Sequence, residues 1–213
     1  MSEITYGQHC FDQEYYNKSD RGGFPDIDYH SEIQQDQLSK KLGFIDSLNI
    51  DYHTILFVGC ATGNEPRYFL DKGKDAQGCD ISKYAISQAD PIISANIKEY
   101  DGQNLNWQAD NSIDVVCAFD VLTIIPKKQR EILISEMVRV ASKLIVIRTS
   151  LKVPDDLTDK EFDGIDGAPF KLATFSYWDK VFVRNKKFWL KKAEINSHKH
   201  DHREAVIAFS REN

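Results

Sequence analysis

The sequence predicts a doubly wound α/β fold: a mostly parallel sheet with helices on its faces and one antiparallel strand towards the C-terminus. Three observations carry this. Thr54-Ile55-Leu56-Phe57-Val58 is continuously apolar, as in a strand buried on both faces, and gives way at Gly59 to small residues as far as Gly63. A helical pattern then opens at Glu65 and Pro66, where proline suits a first turn. Asp80 closes a second short strand about twenty residues beyond Gly59, the spacing at which nucleotide-binding α/β folds place an acid for ribose hydroxyls. Strands and helices alternate from there to two β-rich segments, 188–195 and 204–209, which read as a closing antiparallel pair.

The 213 residues suffice for one such domain with a substantial core. A composition of 41% hydrophobic and 28% charged residues is that of a globular protein, and 33 acids against 27 bases leave a net charge of -6. That balance offers no basic field to nucleic acid. The basic clusters Lys127-Lys128 with Arg130, and Arg184 with Lys186, Lys187, Lys191 and Lys192, read as solvated faces. No apolar run reaches the length of a membrane span, and the polar start Met1-Ser2-Glu3-Ile4-Thr5 has no signal-type core. The 4 cysteines are scattered, and Cys60, Cys79 and Cys117 read as small buried residues of a reducing compartment. The expectation is a soluble, cytoplasmic protein.

Residues 1–30 are rich in aromatic rings and show neither a helical nor a strand period; they are expected as an arm or lid ahead of a single domain over 31–213. Within the arm, Arg21 precedes a glycine pair and could meet a carboxylate as a fixed cation, and His30 could act as a general base. Ile33, Leu38, Leu42, Ile45 and Leu48 recur at helical spacing behind Ser31, a cap residue, and predict a helix over 31–48. After the glycine loop a helix is expected from about Asn64 to Asp71, then the strand at 74–80, then a helix over 83–89 capped by Ser82, with Tyr84 near the ribose position. Residues 92–97 predict a third strand. Residues 113–118 predict a fourth, which ends in Phe119-Asp120 at the carboxyl edge, where open α/β sheets bind ligands. Lys127–Val140 is an amphipathic helix expected to bury Ile132, Leu133, Met137 and Val140. Residues 144–147 predict a fifth strand, 152–173 a long loop, and 174–183 a short helix containing Trp178. His198, His200 and His202 alternate in the loop between the terminal strands and read as solvated rather than as metal ligands, so no metal is expected.

Ile55 to Leu70, Gly78-Cys79-Asp80-Ile81-Ser82 and Ile113 to Leu122 together resemble a class I S-adenosylmethionine-dependent methyltransferase of the small-molecule type. The likeness runs from about Leu42 to the C-terminus. It implies a seven-stranded Rossmann-like sheet and S-adenosylmethionine as cofactor, leaving as S-adenosylhomocysteine. It implies that Gly59, Cys60, Ala61 and Gly63 face the methionine part, Asp80 and Ile81 the ribose, and Asp101 and Gly102 the adenine. Phe119 and Arg21 complete that set. On the residues alone, Asp101-Gly102 is alternatively a turn signal.

The chain also departs from the family's text. The usual loop reads Asp-x-Gly-Cys-Gly-Thr-Gly, whereas Phe57 stands here for the acid and Ala61 for the middle glycine. Thr123-Ile124 replace an acid and a histidine common after the fourth strand, which leaves Asp120 and His30 as the catalytic candidates. The implied reaction is methyl transfer to an oxygen or nitrogen of a small molecule, with no nucleic-acid or membrane partner and with a homodimer permitted. Two other readings stay open. A nicotinamide-dependent oxidoreductase would share the loop and the acid, but its Gly-x-Gly-x-x-Gly fingerprint fails at Ala61 and at 62–64. A non-catalytic relative binding a nucleoside or a partner protein draws support from Phe57, Thr123 and Ile124.

Overall fold

The computed structural model describes residues 11–17, 32–152, 162–163, 169–170, 174–183, 187–197 and 202–211. The chain divides into two units, Met1–Asn104 and Leu105–Asn213. In the first, α1 (Gln13–Asn17) and α2 (Glu32–Asp46) precede β1 (Thr54–Val58), α3 (Asn64–Asp71), β2 (Asp75–Asp80), α4 (Lys83–Ser87), α5 (Pro91–Ser94) and β3 (Ile97–Glu99). β1 runs parallel to β2 from Thr54 opposite Asp75 to Val58 opposite Cys79, and β2 runs parallel to β3 with Asp80 opposite Glu99. All three strands therefore present their carboxyl ends at one edge.

Burial explains why these elements form. Ile55 to Val58 are buried, and Phe69 of α3 stacks on Phe57 with ring centroids 5.7 Å apart and planes at 24°. Burying one such ring contributes about 2–3 kcal/mol. α2 turns Leu38, Leu42, Phe44 and Ile45 inward, as its apolar spacing requires; Ser31, expected as its cap, lies outside the described residues. Arg67 of α3, 5% exposed, pairs with Asp71 at 2.9 Å and with Asp90 at 2.8 Å, which ties α3 to the start of α5.

One expected strand is corrected here. Residues 91–94 of the segment read as strand 92–97 are the helical turn α5, and β3 is only Ile97–Glu99. Asp90 accepts from the Ile92 amide at 2.8 Å and Pro91 fixes the first-turn backbone, so local capping outweighs the β-branched pair Ile92-Ile93. The arm, read as aperiodic, contains the short helix α1.

The second unit holds β4 (Ile113–Phe119), α6 (Val121–Ile124), α7 (Lys127–Val140), β5 (Ala141–Lys152), β6 (Phe162–Asp163), β7 (Pro169–Phe170), α8 (Phe175–Val183), β8 (Phe188–Ser197) and β9 (His202–Arg211). β4 and β5 are parallel, whereas β9 is antiparallel to both β5 and β8. The seven longer strands read β3-β2-β1-β4-β5-β9-β8, the mixed seven-stranded sheet that the sequence predicts. β6 and β7 form a separate small pair.

α7 buries Leu133, Ile134, Met137, Val138 and Val140, while Ile132, expected inside, is half-buried because it falls off that stripe. Arg130 is a second correction: it is 3% exposed, not part of a solvated basic face. The C-terminal carbonyls of α7 are met by Arg211, whose Nη2 donates to Val138 O at 3.1 Å and to Ala141 O at 2.7 Å. β5 extends well beyond 144–147, since its pairing with β9 continues through the polar Arg148, Thr149 and Ser150 to Lys152 opposite His202. Phe182 of α8 stacks on Phe209 of β9 at 4.5 Å. Among the described residues, no helix is long and apolar enough to cross a membrane.

Candidate functional site

β1 leaves the sheet through Gly59, Cys60, Ala61, Thr62 and Gly63 into α3. Gly59, Ala61 and Gly63 have φ of 73°, 48° and 85°, in the left-handed region where only glycine is unstrained. The loop is pinned to β2 because the Gly59 and Cys60 amides both donate to Cys79 O, at 2.8 and 3.1 Å. Gly63 caps α3, and a Cβ there would collide with Ile97 Cδ1. Gly78, beneath the loop, is required as well: a Cβ would come within 2.6 Å of Cys60 Sγ.

Asp80 joins this loop to the end of β2. It is 5% exposed; Oδ2 accepts from the Ala61 amide at 2.7 Å and Oδ1 from the Ser82 amide at 2.8 Å. Burial raises its pKa above the ordinary carboxylate value, against the opposing hydrogen bonds from the Ser82, Ala61 and Ile81 amides. A carboxylate has about four lone-pair sites, so acceptor capacity remains for a ligand beyond these amides. Ser82 continues the connection: its hydroxyl accepts from the Ala85 amide at 3.1 Å, which caps α4, and donates to Phe11 O of the arm.

The described part of the arm packs onto this corner. Tyr16 stacks obliquely on Tyr84 at 5.9 Å, and Tyr15 meets both Phe11 and Tyr16 edge-on. The Tyr16 phenol is pushed up by burial and by the neighbouring Asp80 charge, and it hydrogen-bonds with Ser82. Tyr84 thus lies near Asp80 and against the arm. Arg21 and His30 lie outside the described residues.

At the end of β3, Tyr100 is 8% exposed, and its phenol is pushed up by burial and by Cys79 and Asp80. Asp101 is exposed and holds a tight local turn: Oδ1 accepts from the amides of Gln103 and Asn104, both at 2.8 Å, and Oδ2 from Asn104 Nδ2 at 2.7 Å. Desolvation pushes its pKa up, but these bonds together outweigh it and hold the value below the ordinary range. Gly102, at φ 80°, leaves room for Ile81, whose Cδ1 would lie 3.4 Å from a Cβ at that position. The first unit therefore brings the glycine loop, Asp80-Ile81 and Asp101-Gly102 to one edge. Sequence reading assigned no role at this edge to Tyr16 or Tyr100, and it quoted Gly78 and Ser82 only within the Gly78–Ser82 segment and Ser82 as a cap. The aromatic density of the arm was the one signal available for Tyr16.

In the second unit, Phe119 and Asp120 end β4. Asp120 sits at φ 61° ahead of α6; its Oδ2 is held by Arg148 through Nε at 2.8 Å and through Nη2. The Asp120 amide donates to Arg148 O at 2.9 Å, and Arg148 also lies beside the Phe119 ring at 5.9 Å. Thr123, where a family acid is common, is buried and donates to Asp120 O at 3.3 Å. A carboxylate held in this way by a guanidinium is well oriented. Cys60, Cys79 and Cys117 are buried and form no disulfide. Among the described residues no cluster of three acids, cysteines or histidines is arranged to hold a metal, and His198 and His200 lie outside them.

Residues 55–143 match the family model described as a methyltransferase domain. No curated protein matches the chain. Among solved structures, magnesium protoporphyrin IX methyltransferase from Synechocystis PCC 6803, crystallised with S-adenosylhomocysteine, is 16% identical with a TM-score of 0.67, over 93% of this chain and 97% of that one. The PH0226 protein of Pyrococcus horikoshii OT3 is 16% identical with a TM-score of 0.70, over 94% and 99%. The [4+2]-cyclase SpnF is 15% identical with a TM-score of 0.62, over 87% and 84%. At these identities the likeness is one of fold.

Proposed function

We propose that this chain, a methyltransferase-domain protein on the class I fold, binds S-adenosylmethionine and transfers its methyl group to an oxygen or nitrogen of a small molecule. One observation supports this above the others: Asp80, at the tip of β2, is bonded directly to the Ala61 amide of the glycine loop. The acid and the loop that would share one nucleoside are thereby held in fixed relation, with acceptor capacity to spare.

The residues present suit that cofactor. Asp80 would take the ribose hydroxyls, with Tyr16 and Ile81 beside it. Asp101 and Gly102 would offer the adenine an acceptor for its amine and an amide for a ring nitrogen. The loop of Gly59, Cys60, Ala61 and Gly63 would admit the methionine part close to backbone. Arg21, in the arm, would meet the methionine carboxylate, and Phe119 would line the cofactor. The bound sulfonium supplies an electrophilic methyl group. What the chain adds is alignment, which alone can supply about five or more orders of magnitude. Asp120, steadied by Arg148, would orient the acceptor, and His30 would take a proton where the nucleophile must lose one. We place the protein in the cytoplasm, supported by three buried cysteines that form no disulfide among the described residues, and take a homodimer as permitted.

A second reading keeps the nucleoside site without methyl transfer. Phe57 and the Asp120–Arg148 pair favour it, as does a cyclase on the same fold. Calorimetric titration of S-adenosylmethionine and S-adenosylhomocysteine into the wild type and Asp80→Asn decides the first step. Micromolar binding that weakens at least tenfold in the variant is expected. No binding to well-folded wild type would sink both readings. Binding without turnover on any acceptor would leave only the second.

A further inference from the structure

Among the described residues, four buried donors in the second unit stand without an acceptor: Arg211 Nε, Arg130 Nε, Tyr177 Oη and Trp178 Nε1. The last three belong to one cluster. Arg130 is 3% exposed, and its guanidinium carbon lies 5.5 Å from the Trp178 ring centroid and 6.0 Å from that of Tyr177. The two rings meet edge-on at 5.1 Å, and Trp178 is fully buried. Among the described residues the guanidinium makes one long hydrogen bond, from Nη2 to Ile125 O at 3.4 Å, and no carboxylate lies within ion-pair distance.

A buried cation facing only aromatic rings is partly compensated by their quadrupoles, but the rings leave its Nε–H and the indole N–H unmet. The helix that carries it adds to the imbalance. α7 begins Lys127-Lys128-Gln129-Arg130, has no acid in its first turn, and is preceded by Pro126, which offers no side-chain cap. Cations at a helix N-terminus oppose the macrodipole. Guanidinium and indole nitrogens can only donate, and a phenol readily does so. The missing group is thus an acceptor, and charge makes it an anion. Tyr177 is the half-buried member, so the way in lies on its side.

We propose that Arg130, Tyr177 and Trp178 form an oxyanion site that anchors a carboxylate of the methyl acceptor. The assignment to the acceptor rests on the methyltransferase reading; the oxyanion site itself does not. Chain position supports that assignment: Ile125, to which Arg130 is tethered, ends the turn that Asp120 begins at the carboxyl end of β4. A flat carboxylate suits a guanidinium edge flanked by two rings better than a tetrahedral oxyanion does.

The test is thermal unfolding of the full chain in chloride buffer at fixed ionic strength, with sodium benzoate or inorganic phosphate added, for wild type, Arg130→Met and Trp178→Phe. S-adenosylhomocysteine affinity is measured on the same samples. Benzoate is expected to raise the wild-type midpoint by several degrees in a concentration-dependent way, and phosphate to raise it less. Both variants should lose that shift while binding S-adenosylhomocysteine within twofold of wild type. Arg130→Met should unfold no earlier than wild type without benzoate, because it removes an unpaired buried charge. Absence of a benzoate shift, a shift with phosphate alone, or an Arg130→Met protein that is less stable and equally benzoate-responsive would each overturn the proposal. Failure of S-adenosylhomocysteine binding alongside an Arg130-dependent benzoate shift would overturn the link to a methyl acceptor and leave the oxyanion site standing.

Discussion

Asp80→Asn separates the structural from the ligand-binding duty of this residue. The carboxylate accepts two backbone amides, Ala61 at 2.7 Å and Ser82 at 2.8 Å. Asparagine offers one oxygen, so one of the two amides would face Nδ2 and lose its acceptor in a buried site. Hydrogen bonds to a charged group are worth about 1.5–3 kcal/mol, and an orphaned buried donor costs a similar amount. Removing a desolvated charge gives part of this back, since burial already disfavours the ionised form. The net expectation is a loss of about 2 kcal/mol, or about 4–8 °C in midpoint for a chain of this size. Urea unfolding and S-adenosylhomocysteine titration should be run on one preparation. The protein should remain folded, be measurably less stable and bind the ligand at least tenfold more weakly. A variant with wild-type stability would refute the bonding role, and one with wild-type affinity would refute the placement of the ribose.

The raised pKa of Asp80 gives a pH test. The folded value exceeds the unfolded one, near 3.8, so the residue's contribution to stability is full below that value and is lost as pH rises through the folded pKa. Ribose hydroxyls donate to the ionised form, so S-adenosylhomocysteine affinity should rise with pH over the same interval in wild type and stay flat in Asp80→Asn; calorimetry as pH is raised from the unfolded value checks both. Gly78→Ala should destabilise by about 1–3 kcal/mol through contact with Cys60 Sγ, and Cys60→Ala in the same chain should restore much of the loss, a coupling that a double-mutant cycle in urea measures. Ala61→Gly relieves a side chain held at φ 48° and should raise stability by about 0.5–1 kcal/mol; a lower unfolding midpoint would show that the loop is not strained there.

The legible parts of this fold are those in which one signal dominates. β1 is a nearly continuous apolar run and β4 is one from Val115 onward, and α3 and α7 have the bounds that their apolar spacing and first-turn chemistry give. α5 was hidden because Ile92 and Ile93 suit a strand while Asp90 and Pro91 just ahead start a helix, and in so short a segment the cap decides. Arg130 was misread because Lys-Lys-x-Arg looks solvated until the rings of α8 are placed beside it. The glycine loop and Asp80 could be found by spacing, since a strand–loop–helix unit fixes it locally. Tyr16 and Ser82 could not: the bond from Ser82 to Phe11 spans 71 residues, and no local pattern encodes such a partner.

Phe57 is the departure that weighs most on function, and its environment shows what replaced the acid. The ring is 2% exposed and stacks on Phe69, so position 57 belongs to the contact between β1 and α3. A carboxylate restored there would be buried against the Phe69 ring, which costs several kcal/mol or forces it neutral unless a donor reaches it. The first turn of α3 keeps its own acid, Glu65, where the helix dipole favours it, but Lys41 already pairs with that side chain. Within the first unit Glu65 is thus already committed to Lys41, whereas Asp80 retains acceptor capacity. Any weakening caused by Phe57 should fall on the methionine end of the cofactor and spare the nucleoside end. The ratio of S-adenosylhomocysteine to adenosine affinity reads that difference directly: a ratio near one places the binding energy on Asp80 and Asp101, and a large ratio requires a cation or acceptor from the arm, where Arg21 stands in the sequence.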